Sequence, residues 1–95
     1  MKYVYLWYVK ITHTAMKKHL ADSSYGDNWL AKAKEVVQKH GMKLAILGSP
    51  FATVEQFVVG VETDVSLDEF GKVTSDLYHI DPDFVEYGKT MVIRQ

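Results

Sequence analysis

Three histidines stand where an imidazole would do chemistry, since that ring titrates near neutral pH. His19 follows Met16-Lys17-Lys18 and is a candidate general acid/base. His13 comes two residues after the aromatic run Tyr3–Ile11, in phase with Tyr3, Tyr5, Trp7, Val9 and Ile11. That phase sets it at the end of a strand, at the mouth of a pocket lined by those rings. His79, Asp81 and Asp83 are spaced alternately, and extended backbone would project all three to one side, as a divalent metal requires. Pro82 and a nearby helix end equally account for the two acids as turn residues. No fourth ligand is evident, so no metal site is assigned.

Aromatic residues with polar tips cluster early: Tyr3, Tyr5, Trp7, Tyr8, Tyr25 and Trp29. Such side chains orient a planar organic ligand, and they serve a subunit interface equally well. Lys10 lies in the same aromatic run, where a cation must reach solvent, pair with an acid such as Glu62, or meet a ligand. The candidate ligand-binding residues are therefore Tyr8, Lys10, His13 and Trp29, with His19 as the catalytic candidate. No G-x-G-x-x-G, Walker-type glycine loop or G-x-S-x-G elbow occurs, so no nucleotide or other cofactor is implied. Glu55–Glu62 reads E-Q-F-V-V-G-V-E and lacks the basic and aromatic core of an RNA-binding strand.

The elements that must position these residues fit in 95 residues, enough for one domain spanning 1–95. A hydrophobic share of 47% and a charged share of 24% are those of a globular protein and exclude a disordered tail. The absence of cysteine excludes disulfides and thiolate chemistry. A net charge of −1 gives no bulk attraction for nucleic acid or an anionic membrane, and neither is expected as a partner. That charge is unevenly placed: residues 1–43 carry +5 and residues 44–95 carry −6. Two halves lying side by side would neutralise each other. No run approaches the roughly 18 apolar residues of a membrane span. No small-residue cleavage site follows Tyr3–Val9, and the expectation is a cytoplasmic protein.

Tyr3–Thr12 reads as a strand, apolar on both faces for most of its length, so it should be covered on both sides. Thr14–Asp22 begins a helical turn with Ala15, Met16, His19 and Leu20 inward. Ser23–Asp27 reads as a break. Asp27 or Asn28 then caps a helix whose stripe is Trp29, Ala33, Val36, Val37 and His40, stopped at Gly41. Met42–Gly48 and Val54–Thr63 are strands, with Gly60 admitting a bulge or a close neighbour. Ser66–Glu69 is a capping box opening a helix with Leu67, Phe70, Val73, Thr74 and Leu77 inward. That helix ends near Tyr78 or His79, and Phe84–Arg94 is a last strand, kinked at Gly88.

The order β-α-β-β-α-β predicts an α+β fold: a four-stranded antiparallel sheet with two helices on one face. With this element order and length, the chain resembles the ferredoxin-like subunits of the dimeric α+β barrel superfamily. EthD-like proteins, small monooxygenases, sugar mutarotases and amino-acid-sensing regulator domains share that pattern. In that superfamily two sheets face each other around a shared interior. EthD-like and mutarotase-like members often place a histidine after basic residues, as in Met16-Lys17-Lys18-His19, facing that interior.

The resemblance implies a homodimer that binds a small organic molecule, with or without cofactor-free enzyme activity. It fixes no chemistry, because this fold hosts many functions. The alternative is a non-catalytic structural or regulatory oligomerisation module. Two helices cover only one face of such a sheet. A first strand apolar on both faces calls for a second surface, and a symmetric partner supplies it.

Overall fold

A computed structural model of the chain describes residues 2–50 and 54–95. Strand β1 spans Tyr3–Ile11, followed by helices α1 (His13–Ala21) and α2 (Ser24–Lys39). Strands β2 (Lys43–Gly48) and β3 (Phe57–Thr63), helix α3 (Leu67–Tyr78) and strand β4 (Val85–Arg94) complete it. The strands form one antiparallel sheet in the order β2-β3-β1-β4. The expected sheet is present, but the first crossover holds two helices, so the described residues form three helices rather than the expected two.

The difference centres on Gly26. Ser23–Asp27 reads as a break, yet only Asp22 and Ser23 separate the helices. Asp27 and Asn28, expected as caps, lie inside α2. Asp22 serves the α2 start instead: its Oδ1 accepts from Ser24 N (3.1 Å) and Ser24 Oγ (2.7 Å). These bonds hold the Asp22 carboxyl below its ordinary range. Gly26 is glycine because a Cβ there would fall 2.5 Å from His19 Nδ1 and 2.8 Å from Phe57 Cζ. It is a packing residue, not a turn residue.

The odd-numbered side of β1 is the helix-covered core. Tyr5, Trp7, Val9 and Ile11 are buried there with Phe57, Val59 and Val61 of β3. Ala15, Trp29, Ala33, Val37, Phe70, Val73 and Leu77 close over them from the three helices. The α3 stripe holds except at Leu67, which is 53% exposed because the first helical position precedes contact with the sheet. Ser66 caps α3 by accepting from Glu69 N at 3.3 Å. The Glu69 carboxylate turns outward and accepts from Lys72 Nζ at 3.0 Å instead of reaching back to the cap. Leu20, expected inward on α1, is exposed. His40 and Asp76 join α2 to α3 through a 2.7 Å contact.

Two glycines set the sheet's close approaches. Gly88 does not kink β4; it pairs with Val9, and a Cβ there would lie 2.1 Å from the Trp7 indole. The irregularity falls at Glu86, the extra residue between Tyr87 (opposite Lys10) and Val85 (opposite Ile11). Gly60 faces a register shift in β2, where Ala45 is extra between Leu44 and Ile46. A Cβ at 60 would meet Ile46 Cγ2 at 2.4 Å and Leu6 Cδ2 at 2.8 Å. Gly41, at φ 73°, ends α2 in the left-handed conformation its position predicts.

Candidate ligand-binding sites on the two faces of the sheet

The sheet divides the expected site residues. Tyr8 and Lys10 are even-numbered in β1 and lie on the face that no helix covers, whereas His19 and Trp29 sit among the helices. His13 does not end β1. The chain leaves the strand at Ile11, Thr12 turns it by accepting from Ala15 N (3.0 Å), and His13 becomes the exposed first residue of α1.

On the helix side, Phe57 gathers the ring systems. His19 meets it edge-on at 5.6 Å, and Trp29 lies at 6.4 Å. Trp29 also stacks on Phe84 at 4.7 Å. His19 Nδ1 and Trp29 Nε1 are buried with no hydrogen-bond partner among the described residues. A shallow cleft of about 160 Å³ opens beside Trp29, bordered by Tyr25, Lys32 and Asp81. Tyr25 donates to Asp81 Oδ2 at 2.9 Å; burial first, then this bond and the Asp81 charge, raise its phenol above the ordinary value. Asp81 Oδ1 accepts from Asp83 N at 3.0 Å, and His79 Nδ1 donates to Ser75 O at 2.6 Å. His79, Asp81 and Asp83 are thus engaged in ending α3 and shaping the turn that follows it. Among the described residues no group of three or more His, Cys, Asp or Glu is arranged to hold a metal ion.

The uncovered face has an apolar middle and polar ends. Cross-strand neighbours share a face, so Val4 and Leu6 stand beside Ile93 and Met91, with Val58 and Ile46 across β3 and β2. Ile46, Met91 and Ile93 are 51%, 50% and 43% exposed. At one end Lys2 pairs with Glu62 at 3.2 Å, and with Lys43 it holds the Glu62 carboxyl below its ordinary range.

At the other end stands a group that the sequence reading missed. Glu55, just before β3, is 4% exposed, the one buried charged residue among those described. It accepts from Tyr87 Oη at 2.5 Å, and Lys89 Nζ stands 3.8 Å away. The bond to Glu55, followed by burial and the charges of Glu55 and Glu86, raises the Tyr87 phenol. Lys10 pairs with Glu86 at 3.1 Å rather than with Glu62, because the β4 bulge turns Glu86 toward it and Glu62 lies at the far end of β3. The register places Lys10 opposite Tyr87 and Tyr8 opposite Lys89. A buried carboxylate beside titratable partners is the kind of arrangement that marks a functional site.

No protein-family model matches the chain, and no curated protein matches it. A solved structure does: the X-ray crystal structure of protein Atu4242 from Agrobacterium tumefaciens. The likeness has a TM-score of 0.53 and covers 99% of this chain and 92% of that one, at 16% identity. The fold is ferredoxin-like α+β. At that identity the likeness carries the fold and no activity. No helix among the described residues is long and apolar enough to cross a membrane.

Proposed function

We propose that the chain is a homodimer of the dimeric α+β barrel type that binds a small organic molecule between paired sheets. The supporting observation is the uncovered sheet face, where Ile46, Met91 and Ile93 stand about half exposed beside Val4 and Leu6. Contiguous apolar surface of this kind, rimmed by polar residues, marks an interaction site. A second copy fits it by charge as well as by hydropathy. Lys2–Glu62 at one end and Lys10–Glu86 at the other are internally paired, so a two-fold contact brings no uncompensated like charges together. An apolar centre with a polar rim is the anatomy of a specific interface. The Tyr8, Lys10 and Tyr87 end supplies the polar groups that orient a bound molecule.

Leu6→Glu tests this reading by light scattering, with circular dichroism to confirm the fold. A charge in the middle of the buried face should release folded monomers. A variant with the mass of the unaltered protein would remove this face from the interface. A dimer whose interior proves dry and filled would favour a purely structural module.

A further inference from the structure

We infer that the outer edge of β4, from Lys89 to Gln95, is a second self-association surface. The same stretch of another copy adds to it antiparallel and joins two sheets into one. This contact is independent of the face pairing proposed above and uses different groups.

Backbone hydrogen bonds fix which groups line that edge. Along a paired strand each residue directs its N–H and C=O to one side, and successive residues alternate sides. Gln95 N–H donates to Lys2 O at 2.9 Å, toward β1. Gly88 N–H leaves the ladder and donates to Tyr78 Oη at 2.8 Å. The β1–β4 register runs without a shift from Gly88 to Arg94. Odd-numbered residues of this stretch therefore face β1, and Gly88, Thr90, Val92 and Arg94 face outward. Tyr78 caps the first of these. The N–H and C=O groups of the other three have no partner among the described residues, because β4 is the last strand of the sheet.

Such a row is a template for another strand, and folded chains blunt it with a bulge, a proline or a cover. The opposite edge is blunted: β2 has only six residues and is shifted at Ala45. In β4 the irregularity falls at Glu86, outside the open stretch, and the strand has no proline. Lys89–Arg94 is exposed throughout. Val92 stands beside Tyr5 on the helix side, yet no helix reaches over it and it is 45% exposed. The open edge is thus apolar on both faces of the sheet, with Met91 and Ile93 on the other.

A second copy fits this row by its own sequence. Antiparallel pairing centred on Val92 sets Val92 against Val92 and Thr90 against Arg94. Each open residue gains a partner, and Gly88 stays outside the ladder under Tyr78. Met91 then falls opposite Ile93, and Lys89 opposite Gln95, so no like charges are directly opposed. The joined sheet carries Met91 and Ile93 of both copies as one apolar row. Its two-fold axis stands perpendicular to the sheet, whereas face pairing places the axis between two sheets, so the contacts are compatible. A single strand-to-strand contact is small and belongs with weak interfaces, so it forms well above micromolar concentration.

Amide hydrogen exchange by NMR tests the edge, with sedimentation of the same samples, in the Leu6→Glu protein, whose face contact is removed. From micromolar to near-millimolar concentration the mass should rise from one chain to two. The Thr90, Val92 and Arg94 amides should gain protection over that range, while those of Met91 and Ile93, bonded to β1, are protected throughout. The unaltered protein should show the same gain at the same three amides, so the pattern reads the edge whatever the state of the face. Val92→Pro removes the central outward donor but no bond to β1, and should abolish the gain in mass and in protection. Val92→Lys keeps the donor, sets like charges opposite each other and should weaken both. Circular dichroism checks the fold of each variant. Fast exchange of the three amides at every concentration would overturn self-pairing and leave the edge to a strand of other sequence. A heavier species that persists undiminished in both Val92 variants would place the association elsewhere and overturn it too. Face pairing is judged separately, by the mass of the unaltered protein at micromolar concentration, where the edge contact is not formed.

Discussion

The Tyr87 hydroxyl reaches from β4 to donate to the Glu55 carboxylate at 2.5 Å, on the side of the sheet that no helix covers. A buried carboxylate deprived of a donor retains its desolvation cost without the compensating bond. Tyr87→Phe should therefore lower the urea midpoint of unfolding clearly more than Tyr8→Phe, which removes a hydroxyl with no hydrogen-bond partner among the described residues. Equal midpoints would mean that other contacts of Glu55 suffice.

The same bond gives the protein an alkaline limit. Tyr87, Tyr25 and Tyr5 all have phenols raised above the ordinary value of 10.0: Tyr87 chiefly by its bond to Glu55, Tyr25 and Tyr5 chiefly by burial. The folded state thus holds their protons more tightly than the unfolded chain does. Their contribution to stability is complete below the ordinary value and is lost as pH rises through the raised folded values. Phenolate absorbance should show three of the six tyrosines ionising late, together with unfolding. Six phenols titrating as one unperturbed group would contradict these environments.

Much of the second half of the chain was legible because its signals are local. Ser66 precedes Glu69 by three residues, and a cap of that kind is formed within one turn. Phe70, Val73 and Leu77 repeat at helical spacing and are buried as their period predicts. The first crossover was less legible because Gly26, a break signal locally, is fixed by His19 and Phe57 from other elements. His13 was misplaced since Thr12, β-favouring in sequence, caps α1. Tyr8 and Lys10 were visible as misfits in an apolar strand, but Glu55 was not: its burial is shared with a tyrosine 32 residues away. No spacing rule records such a pairing.

The glycines offer a graded test of sheet packing. Gly88→Ala drives a methyl into the rigid Trp7 indole, 2.1 Å away, and should cost at least about 2–3 kcal/mol. Gly60→Ala meets the Leu6 Cδ2 methyl, which can swing aside, and the branched Ile46 Cγ2 methyl, which moves only by turning the half-exposed side chain about χ1, so its cost should be smaller than that of Gly88→Ala, roughly 1–2 kcal/mol. Chemical denaturation of the two variants decides the order, and a reversed order would contradict the assigned contacts.

Two leucines on α3 distinguish its buried stripe from its start. Leu77→Ala empties a fully buried position and should cost about 2–5 kcal/mol. Leu67→Ala, at a position 53% exposed, should change stability by no more than about 0.5 kcal/mol. Comparable losses at both would show that Leu67 is covered in solution.

The central claim is that the apolar face bearing Ile46, Met91 and Ile93 is closed by a second copy. Sedimentation velocity on the unaltered protein tests it most directly. At micromolar concentration the account predicts a single species with the mass of two chains. A single species with the mass of one chain, unchanged on raising the concentration, would contradict it.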